Sequence, residues 1–422
     1  MESLFDLGNV PSVNSFPTTE QIPHERPALL EMCVCPHCTL VQLSTTIAKE
    51  DLFTEYRYLS SASQTQIRYL GDLAAMLAKR FTLHEHSRIL EVGSNDGTLL
   101  AAFLPWTKHI LGIDPAKNLV PEASSRGVPM VADFLTEETA EQITKEHGHF
   151  DIILGLNVYA HNPDIGALLR ATHTLLSPDG TFILEAVNAS KTILRGSYDT
   201  VYHEHVFCYS LTALHTLYAR AGLTVVDVEE TPMQGGSLRV YAQRTDHHPT
   251  IAPAVAQMLD DERADGITNL GTYQRVGESV RQHIHALREG VEELQRRHGR
   301  VWALGASARG VVILNAGKLD TTVIECIVDD TPLKQGRHVP GVHIPVVGWE
   351  TLRALPKKPT AFLLTAWNYE REVLEKLQRL GDVHEAEIIV PFPALRTVAL
   401  QRVVAEETYP IPLPTQNARE VR

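Results

Sequence analysis

Alternating apolar and helix-forming segments between residues 88 and 188 restrict the possible folds more than any other feature of the chain. Short apolar runs ending in glycine or a polar residue precede helical patterns, as is typical of a parallel α/β sheet. The clearest run is 89–93, an apolar strand that ends in a glycine turn, with Gly97 before a helix predicted to begin near Thr98. Because open parallel sheets bind ligands at the carboxyl ends of their strands, we expect a cofactor beside this turn.

Side chains suited to a nucleoside follow the next three predicted strands. Asp114 can accept hydrogen bonds from both ribose hydroxyls, and Asp133-Phe134 suits an adenine amino group and ring. Asn157 ends the fourth strand. The turn reads Glu-x-Gly-x-x-x-Gly rather than the dinucleotide pattern Gly-x-Gly-x-x-Gly, and it resembles motif I of class I S-adenosylmethionine-dependent methyltransferases. The predicted cofactor-binding residues are therefore Glu91, Gly93, Ser94, Asn95, Gly97, Asp114, Asp133, Phe134 and Asn157.

A dense group of titratable side chains follows at Tyr202-His203-Glu204-His205. Histidine exchanges protons near neutral pH, and a neighbouring carboxylate can fix its tautomer. If the segment is extended, both imidazoles share one face and Tyr202 and Glu204 share the other. A solvated polar loop is the alternative, but the position after a cofactor-binding pattern favours a catalytic segment.

A second strand–glycine turn–helix pattern at residues 301–310 predicts a phosphate or nucleotide site. The paired glycines before Ser237 could bind an anion or a sugar oxygen, although Gly-Gly is also common in hairpin turns. Residues 255–298 are charged and predicted to be helical.

The amino-terminal region contains Cys35-Pro36-His37-Cys38, which has the spacing of half a zinc knuckle. A closed structural site needs four ligands, and no second Cys-x-x-Cys is present. Cys33, His24 or His37 could contribute, but a zinc site and a half-site without metal are about equally compatible with this pattern.

Net charge and hydropathy limit the classes of partner that the chain is expected to bind. The net charge of −13 argues against a general nucleic-acid binder, and no apolar run is long enough to span a membrane. The start lacks a signal-peptide pattern, so we expect a cytoplasmic protein. We also expect it to be a monomer or a homodimer. The five cysteines do not resemble a secreted disulfide framework.

Seven segments in order resemble the deoxysugar C-methyltransferases, which act on nucleotide-linked keto sugars. They are residues 4–16, 35–43, 91–99, 199–205 (DTVYHEH), 235–239 (GGSLR), 305–310 (GASARG) and 330–345. The resemblance implies an α/β fold with a class I methyltransferase Rossmann-like domain at its centre. It also implies a small zinc-binding domain at 1–54, the methyltransferase domain at 55–250, a connector at 251–299, and a second Rossmann-like domain for the nucleotide sugar at 300–422.

The same resemblance assigns roles to residues. His205 is implied as the base, with Tyr202 and Glu204 orienting it and polarising the ketone, and with His161 and Tyr56 as further active-site contacts. The substrate-binding residues that we expect are Tyr58, Gly235, Gly236, Ser237, Arg239, Gly305, Ser307, Arg309, Lys334, Gly336 and Asn368. Two departures stand out: the family's first Cys-x-x-Cys is absent, and Arg309 stands where lysine is common. Zinc binding through Cys35 and Cys38 is therefore in question.

The implied reaction is carbon methylation through an enolate, because a keto group acidifies the neighbouring carbon. Two alternatives remain open at this point. One is methylation of oxygen or nitrogen, and the other is a nucleotide-sugar-binding protein without catalysis.

Overall fold

Three β-sheets organise the chain in the computed structural model, which describes residues 1–53, 59–233, 236–381, 383 and 386–400. The amino-terminal sheet begins with β1 (Glu2–Val10), β2 (Ala28–Val34) and β3 (Val41–Leu43), which pair antiparallel. Two helices follow, α1 (Lys49–Phe53) and α2 (Gln64–Arg80). The buried face of α2 carries Leu70, Leu73 and Leu77, as its apolar periodicity predicts.

The central unit alternates strands and helices. Its elements are β4 (Ile89–Val92), α3 (Thr98–Phe103), β5 (Ile110–Ile113), α4 (Val120–Ser125), β6 (Met130–Val131), α5 (Glu137–His147), β7 (Phe150–Leu156), α6 (Ile165–Leu175) and β8 (Leu176–Val187). All neighbouring pairs among these strands are parallel. The chain runs from β4 to β5 and β6 on one side and then crosses to β7 and β8 on the other. This reversal between β4 and β7 makes their carboxyl ends the expected ligand site.

The segment after β8 contributes to two sheets. It forms β9 (Phe207–Cys208), α7 (Leu211–Arg220), β10 (Leu223–Thr231) and β11 (Ser237–Arg244). Strand β9 pairs with β3 and so completes the four-stranded amino-terminal sheet. Strands β10 and β11 extend the central sheet to seven strands, in the order β10-β11-β8-β7-β4-β5-β6.

Two helices, α8 (Pro253–Ala264) and α9 (Leu270–His298), occupy the region predicted to be helical. The last unit comprises β12 (Trp302–Leu304), α10 (Ala308–Ala316), β13 (Cys326–Val328), β14 (Val346–Val347), α11 (Trp349–Ala354), β15 (Ala361–Leu364), α12 (Glu370–Gln378), β16 (Glu387–Val390) and β17 (Arg396–Ala399). Its six-stranded order is β14-β13-β12-β15-β16-β17, with a second reversal between β12 and β15. The predicted α/β architecture with two Rossmann-like sheets is thus confirmed.

The first and last units share one apolar core, to which Phe5 of β1, Val280 of α9 and Val312 of α10 contribute. Gly277 of α9 lies so close to the Leu4 carbonyl that a side chain there would collide with it. No helix among the described residues is both long and apolar enough to cross a membrane.

Candidate active site

The turn after β4 approaches the loop after β7 closely. Gly93 has φ +70°, and a Cβ atom there would lie 2.6 Å from Cγ2 of Val158. Asn95 and Gly97 also have positive φ, of +50° and +75°. Only glycine adopts this conformation freely, and it leaves backbone exposed for close contact with a ligand. The structure therefore supports a ligand-binding turn at the predicted position.

Two carboxylates lie beneath this turn. Asp114 accepts hydrogen bonds from the backbone N–H groups of Asn95 and Ala116, both at 2.9 Å. Glu91 is buried, and its Oε2 has no hydrogen-bond partner among the described residues. Burial, together with the nearby Asp114 and Asp96, raises the pKa of Glu91. An unpaired buried acceptor beside a glycine cradle fits a cofactor that offers hydroxyl and ammonium donors, as S-adenosylmethionine does.

The other predicted cofactor residues differ in their surroundings. Asn157 follows β7 with φ +56°, and its N–H donates to the Glu185 carbonyl at 2.7 Å. Asp133 is exposed, while the Phe134 ring lies 4.5 Å beneath the Lys49 ammonium. The Ser94 side chain instead packs against Gly112 inside the sheet, where its hydroxyl is buried without a partner among the described residues. Its geometry indicates packing rather than cofactor contact.

The catalytic segment is a tight turn and not an extended strand. A 3₁₀ turn at Tyr198–Thr200 precedes it, and the His205 N–H donates to the Tyr202 carbonyl at 2.8 Å. The prediction that the side chains of an extended segment alternate between two faces is therefore wrong. Because the chain folds back, Tyr202 lies on the same side as His205.

His205 has one defined tautomer. Its Nδ1 is 3.0 Å from the Thr200 carbonyl, which can only accept, so Nδ1 carries the proton. Nε2 therefore accepts a hydrogen bond from the Tyr202 hydroxyl at 2.8 Å. In this arrangement the unprotonated Nε2 of His205 lies directly beside the Tyr202 hydroxyl.

His161 connects His205 to the cofactor turn. Its ring stacks on that of His205 with centroids 5.4 Å apart, and it also stacks on the Phe53 ring with centroids 5.2 Å apart. His161 lies in the 3₁₀ turn Tyr159–His161, directly after Val158, which contacts Gly93. Burial lowers the pKa of His161 to about 3 and that of His205 to about 4, so both rings are neutral at pH 7.

The other two residues of the segment are held by the amino-terminal unit. The Glu204 carboxylate accepts a hydrogen bond from the Asn14 side chain at 2.6 Å. His203 is buried, and its Nε2 lies 3.2 Å from the Ala28 carbonyl. This contact indicates a structural role for His203. Sequence reasoning missed Asn14, although it lies inside one of the segments that carried the family resemblance.

A second glycine turn follows β12. Gly305 has φ +94°, and a Cβ atom there would collide with Ala366 after β15. Ser307 caps α10 by accepting the N–H of Gly310 at 3.1 Å, and the Lys334 ammonium donates to the Ala306 carbonyl at 2.8 Å. The structure thus gathers the predicted residues Gly305, Ser307 and Lys334 at the carboxyl edge of this sheet.

Arg309 joins this turn to the catalytic segment. Its guanidinium lies 3.8 Å from the buried Asp199 carboxylate and 5.6 Å from the Trp367 ring. Asn368, the next residue, is exposed at the same edge. Gly336 is also exposed, and its N–H donates to the Val346 carbonyl at 3.0 Å.

The predicted residues around the paired glycines have intramolecular partners. Gly236 lies in the connection of the antiparallel pair β10–β11, as the hairpin interpretation proposed, and Ser237 donates to the Met233 carbonyl at 3.0 Å. The buried Arg239 guanidinium donates to Glu185 at 2.8 Å and to Tyr69 at 2.7 Å. This network accounts for Arg239 without a substrate. Three further predicted residues, Tyr56, Tyr58 and Gly235, lie outside the described residues.

Cys35 and Cys38 lie in a tight turn closed by the Thr39 N–H, which donates to the Cys35 carbonyl at 2.9 Å. Among the described residues, no group of three or more His, Cys, Asp or Glu side chains could hold a metal ion. Two thiols do not fill a tetrahedral zinc site, so no role of zinc follows from this geometry.

We expect purified protein to hold zinc weakly, because two ligands form a less stable complex than four. Metal analysis after dialysis against a mild chelator should give well below one zinc per chain. A stoichiometry near one would contradict this expectation, and loss of that metal in Cys35→Ser would locate it.

The buried His161 should make stability depend on pH. An unfolded histidine takes up a proton near pH 6.5, whereas folded His161 stays neutral down to about pH 3. The free energy that favours folding is therefore complete above pH 6.5 and declines as the pH falls below it. His161→Phe preserves a ring between Phe53 and His205 but removes this proton uptake.

Urea unfolding of both proteins at pH 8 measures the packing effect of the substitution alone. Between pH 6.5 and 4.5 the variant should lose less unfolding free energy than the wild type. Parallel curves over this range would show that His161 is protonated equally in both states.

Comparisons with known proteins identify the family of the chain. Family models match residues 1–53 ("Putative zinc binding domain"), 62–228 ("Methyltransferase domain") and 232–393 ("C-methyltransferase C-terminal domain"). The chain is 34% identical to the C-methyltransferase NovU of Streptomyces niveus over 375 residues, which are 88% of each protein. It is 30% identical to a ubiquinone biosynthesis O-methyltransferase of Azorhizobium caulinodans over 24% of this chain and 40% of that protein.

Among solved structures, a 1,6-didemethyltoxoflavin-N1-methyltransferase of Burkholderia thailandensis with bound S-adenosylhomocysteine matches 49% of this chain and 94% of its own. The TM-score is 0.36 and the identity 18%. Since the likeness to NovU extends over nearly the whole of both proteins and the family models cover all three sheets, the chain belongs to the S-adenosylmethionine-dependent C-methyltransferases.

Proposed function

We propose that this enzyme methylates the carbon next to the ketone of a nucleotide-linked keto-deoxysugar, through an enolate. One observation carries the proposal: Val158, packed against Gly93 of the cofactor turn, accepts the His161 N–H at 2.9 Å, and the His161 ring stacks on His205, whose Nε2 is unprotonated. This path links the cofactor turn to a group that could remove a proton from carbon.

The second glycine turn supplies the reason for a nucleotide-linked substrate. A glycine turn at a helix amino terminus, with Arg309 and Lys334 beside it, is suited to phosphate groups. Arg309 also lies beside Asp199, six residues before His205 in the sequence. A substrate with phosphates at one end and a reactive sugar at the other could therefore reach both places.

Glu91, Gly93, Asn95 and Asp114 would hold S-adenosylmethionine, which would supply an electrophilic methyl group for the new carbon–carbon bond, with its sulfur as the leaving group. His205 Nε2 takes the proton from the sugar carbon, and the electron pair of that C–H bond forms the enolate. Tyr202 stays protonated because burial raises its pKa, so its hydroxyl can donate to the enolate oxygen. His161 stacks on His205 and Phe53 stacks on His161, so these rings exclude water from one side of the proposed base.

A panel of nucleotide-linked keto sugars tests the proposal, with transfer of labelled methyl from S-adenosylmethionine as the readout. Stable carbon methylation of at least one member is the expected result. In deuterated water without methyl transfer, the hydrogen next to the ketone should exchange with solvent. Transfer to oxygen or nitrogen without such exchange would favour heteroatom methylation, and no transfer to any member would overturn the assignment.

Lys334→Ala should raise the Michaelis constant for the nucleotide sugar about 10- to 100-fold, the usual effect of losing a charged hydrogen-bond donor. Affinity for S-adenosylmethionine should not change, because Lys334 lies in the other Rossmann-like unit. Lys108→Ala is the matched control, since Lys108 also donates to a backbone carbonyl, that of Leu104 at 3.1 Å. A loss of cofactor affinity in Lys334→Ala would mean that the two ligand sites are assigned in the wrong order.

A further inference from the structure

Asp199 is a buried carboxylate between the carboxyl-terminal unit and the catalytic segment. Its side chain is fully inaccessible to solvent, and its Oδ2 accepts the indole N–H of Trp367 at 2.8 Å. Arg309 lies 3.8 Å from the same oxygen. A buried carboxylate needs such donors, since removing them leaves an uncompensated charge in a medium of low polarity. The position of Asp199 therefore depends on residues about 110 and 170 positions away in the sequence.

The residue after Asp199 orients His205. The Thr200 carbonyl accepts the Nδ1–H of His205, and Asp199 and Thr200 both belong to the short turn Tyr198–Thr200. The turn is closed by the Val201 N–H, which donates to the Tyr198 carbonyl at 3.0 Å. A shift of the Asp199 side chain would move this turn as a unit. The Thr200 carbonyl would then leave the place where it holds the imidazole.

We propose that Trp367 is a positioning residue for methyl transfer: its indole N–H holds Asp199, and Asp199 holds the turn that orients His205. The inference rests on the proposed function only in naming His205 as the base. Trp367 follows β15, at the edge where the Gly305 turn meets Ala366. It therefore joins the proposed nucleotide site to the proposed base through hydrogen bonds and one short turn.

Trp302 offers a matched control. Its indole N–H also donates to a carboxylate, that of Glu325 at 3.0 Å, in the same unit. It lies at the opposite end of the sheet, because it begins β12 while Trp367 follows the end of the parallel neighbour β15. Trp302→Phe thus removes the same type of hydrogen bond but leaves the contacts from Trp367 through Asp199 to His205 unchanged.

The experiment compares kcat and both Michaelis constants in the wild type, Trp367→Phe, Asp199→Ala, the double variant and Trp302→Phe. Trp367→Phe should lower kcat about 10-fold with little change in the Michaelis constant of S-adenosylmethionine, because a displaced base costs rate rather than cofactor binding. Once Asp199 is alanine, the Trp367 indole has no carboxylate to hold, so replacing it as well should cost no further rate and kcat of the double variant should equal that of Asp199→Ala alone. Trp302→Phe should keep wild-type kcat.

Asp199→Asn is the conservative variant. It retains an oxygen that can accept the indole N–H, so it should recover most of the kcat lost in Asp199→Ala. The proposal would be overturned if the kcat losses of the two single variants multiplied in the double variant. It would also be overturned if Trp367→Phe changed only the Michaelis constant of the nucleotide sugar. Either result would indicate that Trp367 acts through substrate contact or packing.

A second measurement needs no turnover. Nitrogen NMR of histidine-labelled protein, with the His205 signal assigned from His205→Ala, reports which ring nitrogen carries the proton. The wild type should show the Nδ1–H form, and Trp367→Phe should show a mixture of forms. Unchanged signals would refute the positioning role, even if none of the keto sugars proved to be a substrate. Conversely, changed signals without sugar methylation would refute only the proposed function.

Discussion

His205→Ala should reduce the rate of methyl transfer by roughly 10²- to 10⁴-fold, the usual contribution of a positioned general base. The Thr200 carbonyl holds the Nδ1–H of His205, so Nε2 is unprotonated and lies beside the Tyr202 hydroxyl. Alanine removes this nitrogen. Affinities for both ligands should stay close to those of the wild type, since none of the glycine turns changes. Exchange of the sugar hydrogen with deuterated solvent should fall to the same extent, because exchange and methylation share the proton abstraction.

His203→Ala is the matched control for this experiment. It also removes a buried imidazole, but one whose contact is with the Ala28 carbonyl of the amino-terminal unit. We expect a loss of stability in thermal unfolding and a smaller loss of rate. Equal damage to the rate in the two variants would indicate a paired-histidine arrangement. Intact exchange in His205→Ala would instead identify another base, with His161 or Tyr202 as the first candidates.

Asp114→Ala should weaken binding of S-adenosylmethionine by about 1–3 kcal/mol, or about 5- to 150-fold, because the ribose hydroxyls lose their acceptor. The carboxylate also receives the N–H groups of Asn95 and Ala116, so its loss should loosen the turn as well. Isothermal titration calorimetry with the cofactor measures the effect.

Asp151→Ala is a suitable control, since its carboxylate accepts the Arg88 N–H at 2.9 Å near the opposite ends of β4 and β7. It should bind the cofactor as the wild type does. Unchanged affinity in Asp114→Ala would move the cofactor site away from the β4–β7 edge.

Local sequence patterns were sufficient to predict the strands and helices of the central unit, because each pattern there spans only a few residues. The apolar run before Gly93 is a buried strand, and the helix begins at Thr98 as expected. The second unit was equally predictable from its strand, glycine turn and helix. The strands of the amino-terminal sheet were not predicted. β1 is irregularly paired, with shifts between Ser3 and Phe5 and between Asp6 and Asn9, so its apolar residues do not alternate strictly.

The candidate site was predictable in its residue types but not in its arrangement. His205 and Tyr202 were both predicted as site residues, but an extended segment would have placed them on opposite faces. The structure brings them together in a turn, because Thr200 and Tyr202 provide local acceptors. Asn14 and Trp367 could not be inferred in the same way. Their partners lie 190 and 168 residues away, and no local periodicity encodes such contacts.

Strand β9 has a consequence for how this protein can be recombined with its relatives. Phe207 and Cys208, two and three residues after His205, complete the amino-terminal sheet by pairing with β3, and Asn14 of the same unit holds Glu204. The first fifty residues are therefore not a detachable module, although they are contiguous in sequence. A chimera that exchanges only this segment would pair a foreign sheet edge with the native catalytic turn. Any exchange of the amino-terminal segment should therefore carry the stretch from Asp199 to Cys208 with it, so inherited variation in the two should be correlated.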